Sequence, residues 1–187
     1  CFQKDILNLV YISESLGLNI VANYWKQVIL MNNHQRTRFA SKIIQKAIKE
    51  KLSKKIALFG WAFKKNTNDS RESASIYVAN ELLKNDFIIN VYDPSVEKDQ
   101  VFFDLVSSGL KKNLLKNVNF FKTKNSAAKG VHMIAILTEW DEFINMNWMN
   151  LYDITMRPCY IFDGRNILDY KIISEIGFKY IPIGNQY

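Results

Sequence analysis

Cysteine and histidine are scarce in this 187-residue chain, two of each, and Cys1, Cys159, His34 and His132 are too scattered to form a metal-ligand set. A structural zinc framework is therefore excluded, and no metal site is expected. Seven glycines and three prolines are too few for a collagenous or low-complexity chain. No apolar run approaches the roughly 20 residues of a membrane helix. The longest candidates, such as residues 131–137, have strand length, which predicts a soluble protein with no membrane partner. Residues 1–9 lack a basic segment followed by an apolar one, so they do not form a signal peptide. The chain begins without an initiator Met and reads as a piece of a longer polypeptide. Two unpaired thiols place it by default in a reducing, cytoplasmic compartment.

What is present is an ordinary globular composition, 48% hydrophobic and 23% charged, with a net charge of +7. That charge is uneven. Residues 1–65 hold 12 Lys and Arg against 3 Asp and Glu, so the first third is basic and the remainder slightly acidic. An anionic partner suits such a distribution: nucleic acid, a phosphate-bearing small molecule, or the acidic face of another domain.

Apolar residues from Ile6 to Leu16 recur with helical spacing, and Gly17 stands where a helix would end. A second stripe through Ile20, Tyr24, Val28, Phe39, Ile43, Ala47 and Ile48 runs to Lys54 without Pro or Gly, which predicts one long helix. A helix of about 30 residues is about 45 Å long. Part of its apolar face is therefore expected to meet another domain or subunit. From Lys54 onward, short β-rich runs alternate with helical ones: strands near 54–63, 87–93, 118–121, 131–138, 159–163 and 178–183. Helices are expected at 70–85, capped by Asp69 with Glu72, and at 100–107, within 141–152, and at 170–175. This order implies an α/β fold with a mostly parallel, Rossmann-like sheet, helices on both faces, preceded by a long helical arm. The arm is read as residues 1–53 and the α/β domain as 54–187.

Ligands of such sheets bind beyond the carboxyl ends of the strands, so the loops there come first. Phe59-Gly60-Trp61-Ala62-Phe63-Lys64-Lys65 stands where a dinucleotide loop would, yet has one Gly where G-x-G-x-x-G needs three. Its charge comes instead from Lys64 and Lys65, with Arg71 and a helix N-terminus following. Phe162-Asp163-Gly164-Arg165 presents a guanidinium fork, either to a ligand or to a surface ion pair. Glu139 and Asp141 in Thr138-Glu139-Trp140-Asp141 read as helix N-caps in preference to catalytic acids. Cys1, placed just before a helix and near Lys4, reads either as an activated nucleophile or as an unremarkable terminal thiol, whereas Cys159 reads as core. Arg36, Arg38, Lys42, Lys46 and Lys49 lack an aromatic stacking platform, so a solvated face is preferred to nucleic-acid binding. Neither histidine is assigned a role.

Three segments together, Cys1-Phe2-Gln3-Lys4-Asp5-Ile6-Leu7-Asn8-Leu9-Val10-Tyr11, Gly60-Trp61-Ala62-Phe63-Lys64-Lys65-Asn66-Thr67-Asn68-Asp69-Ser70-Arg71-Glu72-Ser73 and Phe162-Asp163-Gly164-Arg165, closely resemble the UDP-glucose 6-dehydrogenase family. Tyr92-Asp93-Pro94 and Thr138-Glu139-Trp140-Asp141 follow in the family's order. The resemblance implies the C-terminal part of an oxidoreductase that converts UDP-glucose to UDP-glucuronate with two NAD. It matches Cys1 to the catalytic nucleophile, which forms thiohemiacetal and thioester intermediates, and Asp5 to an acid that helps activate water. Phe63, Lys64 and Arg165 match substrate contacts; Cys1, Phe2, Gln3, Lys4 and Arg71 match contacts to NAD. It further implies a homodimer or higher homo-oligomer through the long helix, no nucleic-acid partner, and a preceding NAD-binding domain without which this chain does not turn over. Relatives acting on GDP-mannose or UDP-N-acetylmannosamine, and a non-catalytic nucleotide-binding or dimerisation module, are the alternatives.

Overall fold

The structure, a computed structural model, describes residues 2–184 and falls into two compact units that part between Arg38 and Phe39. The first is a helical arm. Helix α1 (Phe2–Ser15) stops at Gly17, whose φ of +71° suits a residue without Cβ, and Leu18 N–H donates back to the Ser13 carbonyl. Helix α2 (Asn19–Lys49) then runs unbroken for 31 residues. In the arm the two helices are tied by Lys26 to Glu14 at 2.7 Å and by Arg36 Nη1 to Gln3 Oε1 at 3.3 Å. Little of the arm is buried: Val10, Ser13 and Ala22 are, while Tyr11, Leu16, Ile20 and Tyr24 lie exposed.

The second unit begins with the last turns of α2, because Phe39, Ala40, Ile43 and Ala47 bury themselves in the sheet unit's core. The expected break at 53/54 therefore lies later than the division of the compact units. Ile48, counted in the same stripe, is exposed.

Six strands follow: β1 (Lys55–Phe59), β2 (Ile88–Tyr92), β3 (Val118–Phe120), β4 (Met133–Ile136), β5 (Tyr160–Asp163) and β6 (Lys179–Pro182). All pair in parallel, in the order β3-β2-β1-β4-β5-β6. The central strands are buried along their length on both faces, which explains why they read as continuous apolar runs and not as alternating ones. The connecting helices are α3 (Ala74–Lys84), α4 (Lys98–Ser107), α5 (Lys124–Ala128), α6 (Asp141–Ile144), α7 (Trp148–Ile154) and α8 (Tyr170–Ile176). A 3-10 turn (Lys112–Asn117) and the short α5 were not foreseen, since neither is long enough to show a helical period.

One boundary is corrected. Helix α3 starts at Ala74, not Ser70, and its cap is Ser73, whose hydroxyl accepts from Ser75 N–H. Asp69 instead accepts from Arg71 N–H across a tight turn, and Glu72 takes a φ of +58°, so the two do not form a capping box.

Candidate nucleotide site at the strand ends

Parallel pairing brings the strand ends into one row: Tyr92 opposite Phe59, Phe59 opposite Ile136, Ile136 opposite Asp163, and Asp163 opposite Pro182. The strand order reverses between β1 and β4, so the loops after these two strands open at the switch point where α/β sheets take ligands.

The β1 loop is held from three sides. Gly60 N–H donates to the Tyr92 carbonyl, and the Gly60 carbonyl accepts from the Ser75 hydroxyl at 3.0 Å. At φ +94° a Cβ on residue 60 would stand 2.4 Å from Thr138 Cβ, so only glycine fits. Thr138 Oγ1 donates to the Ala62 carbonyl at 2.6 Å, joining this loop to the β4 loop.

Asp93, at the end of β2, is the organiser. Its Oδ2 accepts from Trp61 N–H at 2.6 Å, Ala62 N–H at 3.0 Å and the Trp140 indole at 3.2 Å, while Oδ1 accepts from Ser95 and Val96 N–H. The Trp61 indole donates to Asp104 at 2.8 Å. Asp163 does the same for the β5 loop. It is fully buried and accepts from the N–H groups of Arg165, Asn166, Ile167 and Leu168 and from the Tyr180 hydroxyl. Buried carboxylates are tolerated when saturated in this way. The sequence reading passed over both. The available signal was an acidic residue directly after an apolar strand, twice in the chain.

Within the sheet unit these loops bring together Phe63, Lys64 and Arg165. Arg165 donates through Nε to the Leu137 carbonyl at 2.7 Å and through Nη2 to the Phe63 carbonyl at 3.0 Å. Two carbonyls from two loops thus fix the plane of the guanidinium. Phe63 is half-buried, and Lys64 is exposed with Nζ 5.3 Å from the Phe63 ring centroid. Lys65 behaves differently: its Nζ reaches Asp141 at 2.6 Å. Glu139 lies with Oε2 3.4 Å from Arg165 Nε and Oε1 3.4 Å from Lys65 N–H. The expectation that Glu139 and Asp141 cap a helix is not met. Trp140 occupies the N-cap of α6 without a side-chain cap bond, and both acids turn to the basic loops.

Arg71 belongs to the same unit but is exposed and held by Asp69, at 2.9 Å through Nε and 2.7 Å through Nη2. The guanidinium and, after it, the Arg71 backbone N–H lower the Asp69 carboxyl from 3.8 to about 2. In the arm, Phe2, Lys4 and Asp5 are exposed in the first turn of α1, with Lys4 Nζ 4.0 Å from Asp5, and Gln3 is bound by Arg36. Cys1 lies outside the described residues. Cys159 is a buried free thiol that burial pushes up to about 12, in keeping with a core role. Among the described residues, no group of three His, Cys, Asp or Glu is placed to hold a metal, and no helix is long and apolar enough to cross a membrane.

A dinucleotide pyrophosphate does not fit the β1 loop. The N–H groups that would cradle it, those of Trp61 and Ala62, are already taken by Asp93, and Thr138 fills the space above Gly60. Charged side chains at the rim, Lys64 and Arg165, remain for an anionic ligand.

A family model described as the UDP binding domain of the UDP-glucose/GDP-mannose dehydrogenase family matches residues 57–170. The chain belongs to that family. It is similar to UDP-glucose 6-dehydrogenases throughout its length: 47% identical over 186 residues to that of Caenorhabditis elegans and 45% over 190 residues to that of Drosophila melanogaster. Each alignment takes in 100% of this chain, which spans 39% and 40% of those two relatives. Among solved members of the dehydrogenase family, the UDP-glucose dehydrogenase of Pyrobaculum islandicum shares the fold with a TM-score of 0.69 at 23% identity, over 97% of this chain and 36% of that one. GDP-mannose dehydrogenase from Pseudomonas aeruginosa does so with a TM-score of 0.66 at 15% identity, over 97% of this chain and 38% of that one.

Proposed function

We propose that this chain is the C-terminal, UDP-sugar-binding part of a UDP-glucose 6-dehydrogenase, with residues 1–53 as linker and dimerisation arm and 54–187 as the substrate domain. The observation that carries this is the convergence of Phe63, Lys64 and Arg165 at the switch point, in a chain of this family whose β1 loop is closed to a dinucleotide. Lys64 supplies a mobile point charge to the diphosphate, and Arg165 a fixed fork for phosphate or sugar oxygens.

NAD, held mainly by a preceding domain and touched from this chain by Cys1, Phe2, Gln3, Lys4 and Arg71, supplies the hydride acceptor for both oxidations. The Cys1 thiolate adds to the C6 aldehyde formed in the first oxidation, and the new C–S bond leaves an alkoxide that takes a proton. Loss of the second hydride from C6 together with the hydroxyl proton gives the thioester. Water, activated with the help of Asp5, attacks the thioester carbonyl and releases UDP-glucuronate and the thiol. A homodimer or higher oligomer through the exposed arm, acting in the cytoplasm, completes the proposal.

The test is NADH production by the full-length protein with UDP-glucose. Two NADH per UDP-glucose are expected. Cys1→Ser should stop the second oxidation, and Lys64→Ala should raise KM for UDP-glucose about tenfold or more with a smaller change in kcat. Turnover of GDP-mannose or UDP-N-acetylmannosamine in place of UDP-glucose reassigns the substrate. UDP binding without any turnover leaves a nucleotide-binding module.

A further inference from the structure

Glu139 and Asp141 project two acids from the β4 loop into the loops that carry the site's cations. Asp141 takes Lys65 at 2.6 Å. Glu139 stands 3.4 Å from Arg165 Nε, but that N–H is already given to the Leu137 carbonyl, so Oε2 is buried with no hydrogen-bond partner. A carboxylate oxygen kept from water beside a guanidinium whose hydrogen bonds go elsewhere does not orient that guanidinium, because the carbonyls of Leu137 and Phe63 already do so. What it contributes is negative charge. Among the described residues Lys64 alone of these cations enters no ion pair. Of the other acids of this edge, Asp93 and Asp163 are saturated by N–H, indole and hydroxyl donors, Asp104 takes the Trp61 indole and Glu142 pairs with Lys124.

We propose that Glu139 and Asp141 temper the positive charge of the strand-end loops and so limit how tightly a diphosphate is held. This rests on the reading of these loops as the UDP-sugar site. The chemistry gives such a limit a use. The substrate's diphosphate carries about two negative charges, and oxidation of C6 to a carboxylate adds a third to the product. Loops with three uncompensated cations would hold the product more firmly than the substrate and slow its departure. Neutralising Lys65 and part of Arg165 leaves Lys64 as the cation free to engage the ligand, so binding stays weak enough for release.

The experiment is a UDP titration of the full-length protein and of its Glu139→Gln and Asp141→Asn variants at several salt concentrations, with a thermal melt of each sample. Both changes keep shape and remove one charge. Each variant is expected to bind UDP about fivefold more tightly at low salt, since a like charge within a Debye length of the diphosphate is gone. The affinity should fall more steeply with salt than in the parent, and UDP-glucuronate should inhibit more strongly. A purely structural acid would change the melt and leave the salt slope alone. Weaker or unchanged UDP binding in both variants, with the parent binding normally, overturns the proposal and makes Glu139 an acceptor for a ligand hydroxyl or N–H, or a packing residue. If Glu139→Gln fails to fold, Asp141→Asn decides, since its pair is exposed at the rim. No UDP binding by the parent removes the underlying site assignment and this proposal with it.

Discussion

The arm and the sheet unit spend the same kinds of residue in opposite ways. In the sheet unit, Phe59, Phe143 and Tyr92 close on one another, with ring centroids 5.4 to 6.2 Å apart, and every large side chain of β1 beyond Lys55 is sealed. In the arm, Ile20 is 87% exposed and Tyr11 70%. Apolar side chains contribute stability in proportion to the area they remove from water, so the first arrangement stabilises its own fold and the second contributes little of that term. The polar groups divide in the same way. Carboxylates at the strand ends collect buried N–H donors, whereas those of the arm form exposed pairs such as Lys26 with Glu14. The oligomer proposed above would cover the apolar side chains that the arm leaves exposed.

Changes in the sheet unit should therefore cost most. Gly60→Ala puts a Cβ 2.4 Å from Thr138 Cβ at a φ of +94°, with the Thr138 backbone nitrogen 2.7 Å away, so no flexible side-chain end can yield. A loss of at least about 4 kcal/mol, read by chemical denaturation, is expected. Asp93→Ala should follow at about 3 kcal/mol, because it strands the buried N–H groups of Trp61 and Ala62 and the Trp140 indole together. A loss under about 1 kcal/mol would show that the β1 loop holds itself without the carboxylate.

The sheet unit was also the more legible region, for a related reason. Buried parallel strands leave short apolar runs that stand out against polar loops, and these located five of the six strands to within two residues; the first run, 54–63, overran β1 because Trp61 and Ala62 in the loop are as buried as the strand. The loops proposed as the site drew notice because Lys64 ends one such run and Arg165 closely follows another. What escaped depended on partners distant in sequence. Asp69 and Glu72 had the spacing of a capping box, but Arg71 between them claims Asp69 and Ser73 provides the cap. Glu139 and Asp141 had the position of helix caps, and only the parallel register that sets the β4 loop beside the β1 loop shows that Lys65 and Arg165 take them. Asp93 serves residues more than 30 positions away, which no local pattern reveals.

Charge placed on the arm should act quite differently. Ile20→Glu and Leu30→Glu alter side chains that are 87% and 58% exposed, so the unfolding free energy of the sheet unit should move by no more than about 0.5 kcal/mol. The proposed oligomer contact is where they should act. Sedimentation of the full-length double variant is expected to show a smaller oligomer than the parent at equal concentration. An unchanged oligomer would mean that these side chains face solvent in the assembly too, and that the arm's apolar face has another use.

The smallest effect is at the rim, where the sheet unit resembles the arm. Asp69 is bound by an Arg71 side chain that is 87% exposed, and the guanidinium, with the Arg71 backbone N–H second, lowers the carboxyl from 3.8 to about 2. A carboxyl depressed in the folded state contributes stability above its unfolded value and loses it as pH falls through the folded one. The contribution should therefore be complete above about pH 4.5 and disappear between about 3.8 and 2. Solvent and salt screen an exposed pair, so the change in overall stability should be slight. Direct titration of the Asp69 carboxyl by NMR is the sensitive measurement. In Arg71→Ala, which keeps the backbone N–H of residue 71, it should move only part of the way back toward 3.8, and added salt should raise it in the parent. A carboxyl that stays near 2 without Arg71 would show that the backbone turn, not the guanidinium, holds it down.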